Sequence, residues 1–266
     1  MYKTICYYKN VLLSFLRNSL MVCIEYRANF LINLLFNTVW TIVQIALISI
    51  IFYNVSSING WSKYEVMLLF GIDELIFPLF VSLALASLNR VEDHVIKGTM
   101  DYILLKPINT QFFVSLRHID LFQVTPMFFG IFIIIFCSSK LNLNLSMMKL
   151  ILVILLIIVG VWIMYSIYLI CVSLTFKYLK VSFLKNIVLS FVGCMIYPLD
   201  IYKGFFKLII TVIIPVGIIV DFPTRILAKQ LSFNNLMYEL IIATVFGFIS
   251  SIMWKRGISK YTSASS

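Results

Sequence analysis

Few residues in this chain have types that could do chemistry, and their spacing suits none of the common reactions. His94 and His118 are the only histidines, and they lack the i, i+4 relation of a helical metal pair. Five cysteines, Cys6, Cys23, Cys137, Cys171 and Cys194, include no C-x-x-C. An odd, scattered set argues against a disulfide framework or a metal cluster and reads as small apolar residues at helix contacts. No G-x-x-x-x-G-K-[ST] phosphate cradle occurs, and no H-E-x-x-H, G-x-S-x-G or G-x-G-x-x-G. The chain is therefore expected to have no catalytic residue, to hold no metal and to bind no cofactor. Any energy for work must come from a partner.

The sharpest polar feature inside an apolar run is Asp73-Glu74. An acid at the centre of a membrane helix costs about 2.5–3.5 kcal/mol, so it normally faces protein or water. One reading makes the pair a cation or cargo contact in a translocation path. The other places it close enough to one membrane face for at least one carboxyl to reach the headgroups. Adjacent helical residues point about 100° apart, so both are not expected on one pore face.

The elements that must position these residues are membrane helices. The chain has 266 residues, of which 62% are hydrophobic and only 12% charged. Soluble chains carry about 25% charged residues. Mostly apolar runs of membrane-spanning length recur, which identifies an integral membrane protein. Net charge is +10. Basic loops on the cytoplasmic side account for that charge, and no basic, aromatic-interleaved stripe points to nucleic acid.

Along the chain, residues 1–27 read as an amphipathic helix lying in the membrane interface. Ile5, Tyr8, Leu12, Phe15 and Leu16 share one face; Lys3, Asn10, Ser14, Arg17 and Asn18 share another. The first long apolar run starts near Ala28, too late and too long for a cleavable leader. Residues 28–88 hold two spans. In the first, Asn29, Asn33, Asn37 and Gln44 lie on one side and are expected to face other helices, with Asn37 and Gln44 as candidate path residues. The second, Val66–Leu88, should kink at Pro78.

A polar stretch, residues 89–120, follows. Residues 121–254 then supply spans 3–6: Leu121–Cys137, interrupted by Pro126, Leu150–Phe176, Asn186–Leu199 and Leu236–Trp254. Phe206–Val220 is short and broken by Pro215, which suits a re-entrant segment more than a full crossing. Asp200/Lys203 and Asp221/Arg225 bracket it, either as charges that stop a half-helix or as an external gate. Residues 255–266 form a basic tail. Six spans place most of the 21 basic residues, with both termini and residues 89–120, on the cytoplasmic side. A seventh crossing at 206–220 changes that count little.

Within 89–120 the local signals are specific. Gly98 can end the helix extending from span 2, and Thr99 can cap a new short helix with Asp101 in its first turn. Met100, Ile103 and Leu104 then form an apolar face at i, i+3, i+4, and Pro107 marks the stop.

Several short runs carry a resemblance: EYRANFLI from Glu25 to Ile32, Gly60-Trp61, Tyr64-Glu65-Val66, GTMDYILLKPINTQFFVSLR from Gly98 to Arg117, and the terminal YTSASS. In this order they resemble the membrane subunit of an ABC-2 type ABC transporter of bacteria, over essentially the whole chain. The resemblance implies a cytoplasmic coupling helix that docks on an ATPase subunit. It assigns that role to Glu92, Gly98, Thr99, Met100, Asp101, Ile103, Leu104, Leu105 and Pro107. It also implies an interfacial N-terminal helix, six spans and short re-entrant helices before the last.

The expectation is thus an all-α integral membrane permease in a single domain, multi-pass in a bacterial cytoplasmic membrane. It would pair with a second permease copy or a related permease, contact membrane lipids, and export an amphipathic, peptide or drug-like cargo. ATP and Mg would be held by the partner ATPase. An ion-coupled secondary transporter using Asp73 or Glu74 is the main alternative, and a non-pumping immunity or accessory protein is a third.

Overall fold

Long apolar runs without internal turn signals leave the backbone one way to satisfy its polar groups in lipid, which is helix. The computed structural model describes residues 2–229 and 232–261 and shows helices, with no strand among those residues. The serine-rich end, Thr262–Ser266, lies outside the described residues. The helices are α1 (Tyr2–Glu25), α2 (Arg27–Ile51), α3 (Lys63–Phe80), α4 (Ala86–Leu88), α5 (Arg90–Ile96), α6 (Met100–Leu104) and α7 (Thr110–Leu116). They continue as α8 (Val124–Lys140), α9 (Met147–Ser173), α10 (Thr175–Tyr178), α11 (Ser182–Val192), α12 (Gly204–Leu208), α13 (Val216–Ala228) and α14 (Phe233–Ser259).

Among the described residues, five stretches are long and apolar enough to cross a membrane: Arg27–Ile51, Lys63–Ile96, Leu121–Lys140, Met147–Tyr178 and Phe233–Ser259. A sixth arises only if Gly204–Ile213 and Val216–Ala228, bent by 86°, are counted together. The expected fifth span, Asn186–Leu199, falls short of that length: only Ser182–Ile196 is helical. It still joins the two ends of the bundle, because Lys185 pairs with Glu92 at one end and Asp200 bonds Trp61 at the other. A 3-10 turn at Gly193–Ile196 helps it reach, since that form rises about 2.0 Å per residue.

Lys63–Ile96 is the axis of the fold. In its most apolar window 72% of residues are buried, against 17% in Arg27–Ile51. Its start is secured by Glu65, whose carboxylate accepts from the Ser62 backbone N–H (2.7 Å) and hydroxyl (2.9 Å). Pro78 does not end the helix. A π-helical turn at Val81–Leu85 follows it and absorbs the irregularity, and the Ser82 carbonyl accepts from the Asp120 N–H at 2.9 Å. Pro126 does not interrupt span 3 either. It lies in the first turn of α8, where a missing N–H leaves no helical bond unmade.

α3 packs against α8 through two glycines. A Cβ on Gly130 would sit 2.7 Å from the Gly71 carbonyl oxygen, so the two backbones touch where either side chain would hold them apart. Around this contact the core gathers Leu68, Phe70, Ile72 and Ile76 from α3 with Ile133 from α8.

The two ends of the bundle are distinct. At one end lie α1, residues 90–120 and the last turns of α14, whose Trp254 meets Phe176 with ring centroids 5.4 Å apart. At the other, Asn59 and Trp61 bond Asp200, and Lys229 donates to the Gly60 carbonyl at 2.8 Å. The bent pair α12–α13 therefore leaves and returns at the same end.

Candidate functional site: the α5–α7 end of the bundle

Residues 90–120 fold into three short helices set directly on the end of the central span. α5 continues Lys63–Ile96 without a loop. Gly98, at φ 68, then turns the chain sharply, a conformation that costs little without a Cβ. α6 follows, with Asp101 in its first turn as expected. Thr99 does not cap it: its side chain makes no capping bond, and its hydroxyl meets His94 Nδ1 at 2.8 Å. The turn after α6 contains Pro107, and Asn109 caps α7 by accepting from the Phe112 N–H at 3.0 Å.

The expected apolar face of α6 points the other way. Met100 (0% exposed) and Ile103 (3%) are buried in the protein, and Leu104 is half-buried. They fill the space between α5 and α7, because the turn at Gly98 folds α6 back on its neighbours. The side chains left outside are Tyr102 (72% exposed) and Leu105 (82%), with Ile96, Lys97, Lys106 and Pro107 around them. Glu92 also faces inward: its carboxylate lies 2.5 Å from Lys185 Nζ, with both side chains nearly buried. Gly98 and Pro107 shape turns. Of the residues assigned to docking by resemblance, Leu105 and Pro107 are thus left exposed, and Tyr102 was not singled out by the pattern.

This end is tied to the rest of the molecule at several points. The Asn109 N–H donates to Tyr8 Oη at 3.1 Å, and Tyr8 meets Phe112 edge-on at 4.9 Å. Phe15 of α1 packs on Phe113 at 5.6 Å. Tyr8, Leu12, Phe15 and Leu16 of α1 all turn inward, whereas Ile5, expected with them, is 60% exposed. Tyr165 of α9 accepts from Gln111 (2.9 Å) and bonds Ser115 (3.0 Å). The Tyr168 hydroxyl donates to Asn89. Ser87 Oγ accepts from the His118 N–H at 2.7 Å.

The two histidines, distant in sequence, come near one another beside Ser87, Phe113 and Arg117. Burial and the neighbouring Arg90 and Arg117 charges hold His118 down to about 4, so its ring is neutral at physiological pH. Arg90 approaches His118 Nε2 at 3.4 Å. Among the described residues no three His, Cys, Asp or Glu side chains gather to hold a metal, and the five cysteines are free.

The polar residues of the spans divide. Gln44 is buried with Thr41 on the inward side of α2, Asn33 and Asn37 are half-buried on the same side, and Asn29 is exposed. Asp73 (8% exposed) and Glu74 (6%) are both enclosed by protein. Asp73 Oδ1 has no hydrogen-bond partner. No hydrogen bond joins Asn37 or Gln44 to either acid. Sequence reasoning passed over Glu239 of α14, which is fully buried with both carboxylate oxygens unpartnered. A single acid within an otherwise apolar span was the available signal.

At the opposite end the bracketing charges form one cluster. Arg225 bonds Asp221 within α13 and also reaches Asp200 at 2.7 Å; the expected partner of Asp200, Lys203, is replaced by Lys207 at 3.8 Å. Trp61 (0% exposed) donates to Asp200 at 3.0 Å and lies under the Lys229 ammonium, 3.9 Å from its ring centre. Asp221 Oδ1 accepts from the Leu199 N–H at 3.0 Å.

The described residues thus form an all-helical bundle with several helices long and apolar enough to cross a membrane, capped at one end by short polar helices. The family model described as ABC-2 family transporter protein matches residues 38–265, and the chain belongs to that family. It is a transporter permease, and permeases of this family typically work with an ABC ATPase partner. A search of curated proteins found no match.

Proposed function

We propose that this chain is the membrane-spanning half of an ATP-driven exporter and that the α6 tip is where a partner ATPase docks. The observation that carries this reading is the pairing of exposure and attachment at that tip. Tyr102 and Leu105 stand out with little cover, while the helix beneath them continues into the most enclosed span of the bundle. A push on the tip has a rigid route into the core. Exposed aromatic and aliphatic anchors ringed by Lys97 and Lys106 also suit a protein interface.

The remaining parts follow the same arrangement. Basic residues around the α6 end support a cytoplasmic side for it, with α1 and the α14 C-terminus. α1 lies in the interface there, and α12–α13 dips into the membrane from the far side, as its two ends at the Trp61 cluster support. α2, with Leu31, Ile32, Leu35, Phe36 and Val39 exposed, faces lipid or a second permease. Cargo would pass between the two permeases; apolar and aromatic walls suit an amphipathic molecule.

The test is affinity purification of the tagged chain expressed with a candidate Walker-type ATPase. Recovery of the ATPase, lost in Leu105→Asp but kept in wild type, supports the reading. A chain that transports alone in liposomes, driven by a proton gradient, overturns it in favour of ion-coupled transport. The unpartnered carboxyls of Asp73 and Glu239 are the observation favouring that second reading.

A further inference from the structure

Between α1 and the α7–α8 corner lies a cleft of about 800 Å³, within the range of ligand pockets. One wall comes from α1, with Phe15, Met21 and Val22; the other includes Phe113, Leu121 and Phe122. Arg90, Lys106 and Arg117 also line it. Lys106 Nζ and the Arg117 guanidinium both lie over the Phe113 ring, at 4.7 and 5.0 Å from its centre. Two like charges are thus gathered on one ring, with a third lining the same space.

Two acids, Asp120 and Glu25, line the same cleft, so the three cations outnumber the anions there. Among the described residues none of the three cations forms an ion pair. Asp120, one of those two acids, accepts from the Phe122 N–H (3.0 Å) and Gln123 (3.1 Å). Glu25 is the other. His118 adds a neutral ring nitrogen that can accept from Arg90. The three cations are also open to solvent, so the excess positive charge of the cleft is accessible to an incoming anion.

The cleft lining runs along α1 to Glu25, past exposed Met21 and Val22, and includes Phe122, which meets Phe30 of α2 at 6.3 Å. An occupant therefore has a cationic end to meet and apolar surface on which to lay a chain. Arginine pairs with phosphate oxygens bidentately, and a headgroup at membrane depth satisfies both ends.

We propose that the cleft lined by Arg90, Lys106 and Arg117 is a binding site for the phosphate headgroup of an anionic phospholipid, whose acyl chains run out along α1 and α8. The bound lipid fixes α1 against α7, the helix that carries the Tyr8 and Phe15 contacts. This inference does not depend on an ATPase partner.

The test uses the purified full chain in detergent with native mass spectrometry, adding phosphatidylglycerol, phosphatidylcholine or inorganic phosphate. Retention of phosphatidylglycerol well above phosphatidylcholine is expected. Arg90→Gln/Lys106→Gln/Arg117→Gln should lower it roughly tenfold or more, since each basic residue near an anionic headgroup contributes about fivefold. Arg90→Lys/Arg117→Lys should keep most of it, and Lys255→Gln/Arg256→Gln, exposed on α14, should change nothing. Circular dichroism and gel filtration identify any variant that has lost its fold, and the charge-retaining pair then decides. Equal retention of the two lipids, equal loss in the α14 control, or displacement by millimolar phosphate overturns the proposal, the last in favour of a free phosphate site.

Discussion

Lys185 Nζ lies 2.5 Å from the Glu92 carboxylate, joining α11 to α5, the extension of the central span, through a nearly buried ion pair. Removing one partner strands a charge with little water to receive it. Glu92→Gln or Lys185→Met should each cost about 3–5 kcal/mol. The exchange Glu92→Lys/Lys185→Glu should recover part of that loss. Thermal unfolding of the detergent-solubilised protein measures all four forms.

Two neighbours on α6 should behave oppositely. Met100→Ala empties a core position and is expected to cost about 2–5 kcal/mol of stability. Leu105→Asp touches only the exposed tip and should leave unfolding within about 0.5 kcal/mol of wild type. If Leu105 anchors an ATPase, the same change weakens that association by about 2 kcal/mol or more. A melting curve and a pull-down on both variants separate the roles, and a large stability loss in Leu105→Asp would sink the assignment.

The Trp61 cluster should be acid-sensitive. Burial pushes the Asp200 carboxyl up, but hydrogen bonds from Trp61 and Arg225 and the nearby Arg225 and Lys207 charges outweigh it. The net effect holds Asp200 below its ordinary value. A depressed folded value means the contribution is full above the ordinary Asp range near 3.8 and is lost as pH falls through the folded value. Wild type should therefore lose stability of the α12–α13 end in strong acid, and Asp200→Asn should flatten that step. Hydrogen exchange of residues 199–229 across pH reads it directly.

The α3–α8 contact leaves no room for a side chain. Gly130→Val should force the helices apart at Gly71 and disturb Glu74, whose Cβ lies 3.1 Å from the position a Gly130 Cβ would take. The expected cost is about 1–3 kcal/mol or more, because backbone cannot move aside as a flexible side chain can. Unfolding that matches wild type would count against this packing.

Glu239 is buried with neither oxygen bonded, an arrangement that costs about 1–3 kcal/mol. Glu239→Met removes the unsatisfied group at similar volume, so stability should hold or rise. A more stable variant with impaired transport would mark Glu239 as a functional group retained at a cost to stability.

Much of the fold was legible because lipid imposes a simple rule on sequence: long apolar runs become helices. All five of the long spans, the start of α1, the turn at Gly98 and the short α6 were readable from apolar length, periodicity and glycine placement. Asn186–Leu199 was harder, since hydropathy reports apolar content and not how a short helix is stretched between two ends. Pro126 was misleading for a related reason, since it sits in the first turn of α8 and does not interrupt it. A proline's effect depends on which turn it occupies and on whether a π turn nearby takes up the change.

The candidate site was legible only in part. Local sequence determined that a short helix follows Gly98, but not which face it shows. Met100 and Ile103 look like a docking stripe until α5 and α7 are seen to enclose them, leaving Tyr102 and Leu105 outside. Charge pairing was likewise decided by tertiary structure: Glu92 found Lys185, Asp200 found Arg225, and Asp73, Glu74 and Glu239 were sealed from water. Composition and periodicity act over a few residues and determined that this chain is a helical membrane protein with a polar cap. Partner choice and burial depend on which distant helices meet, and only the packed bundle decided those.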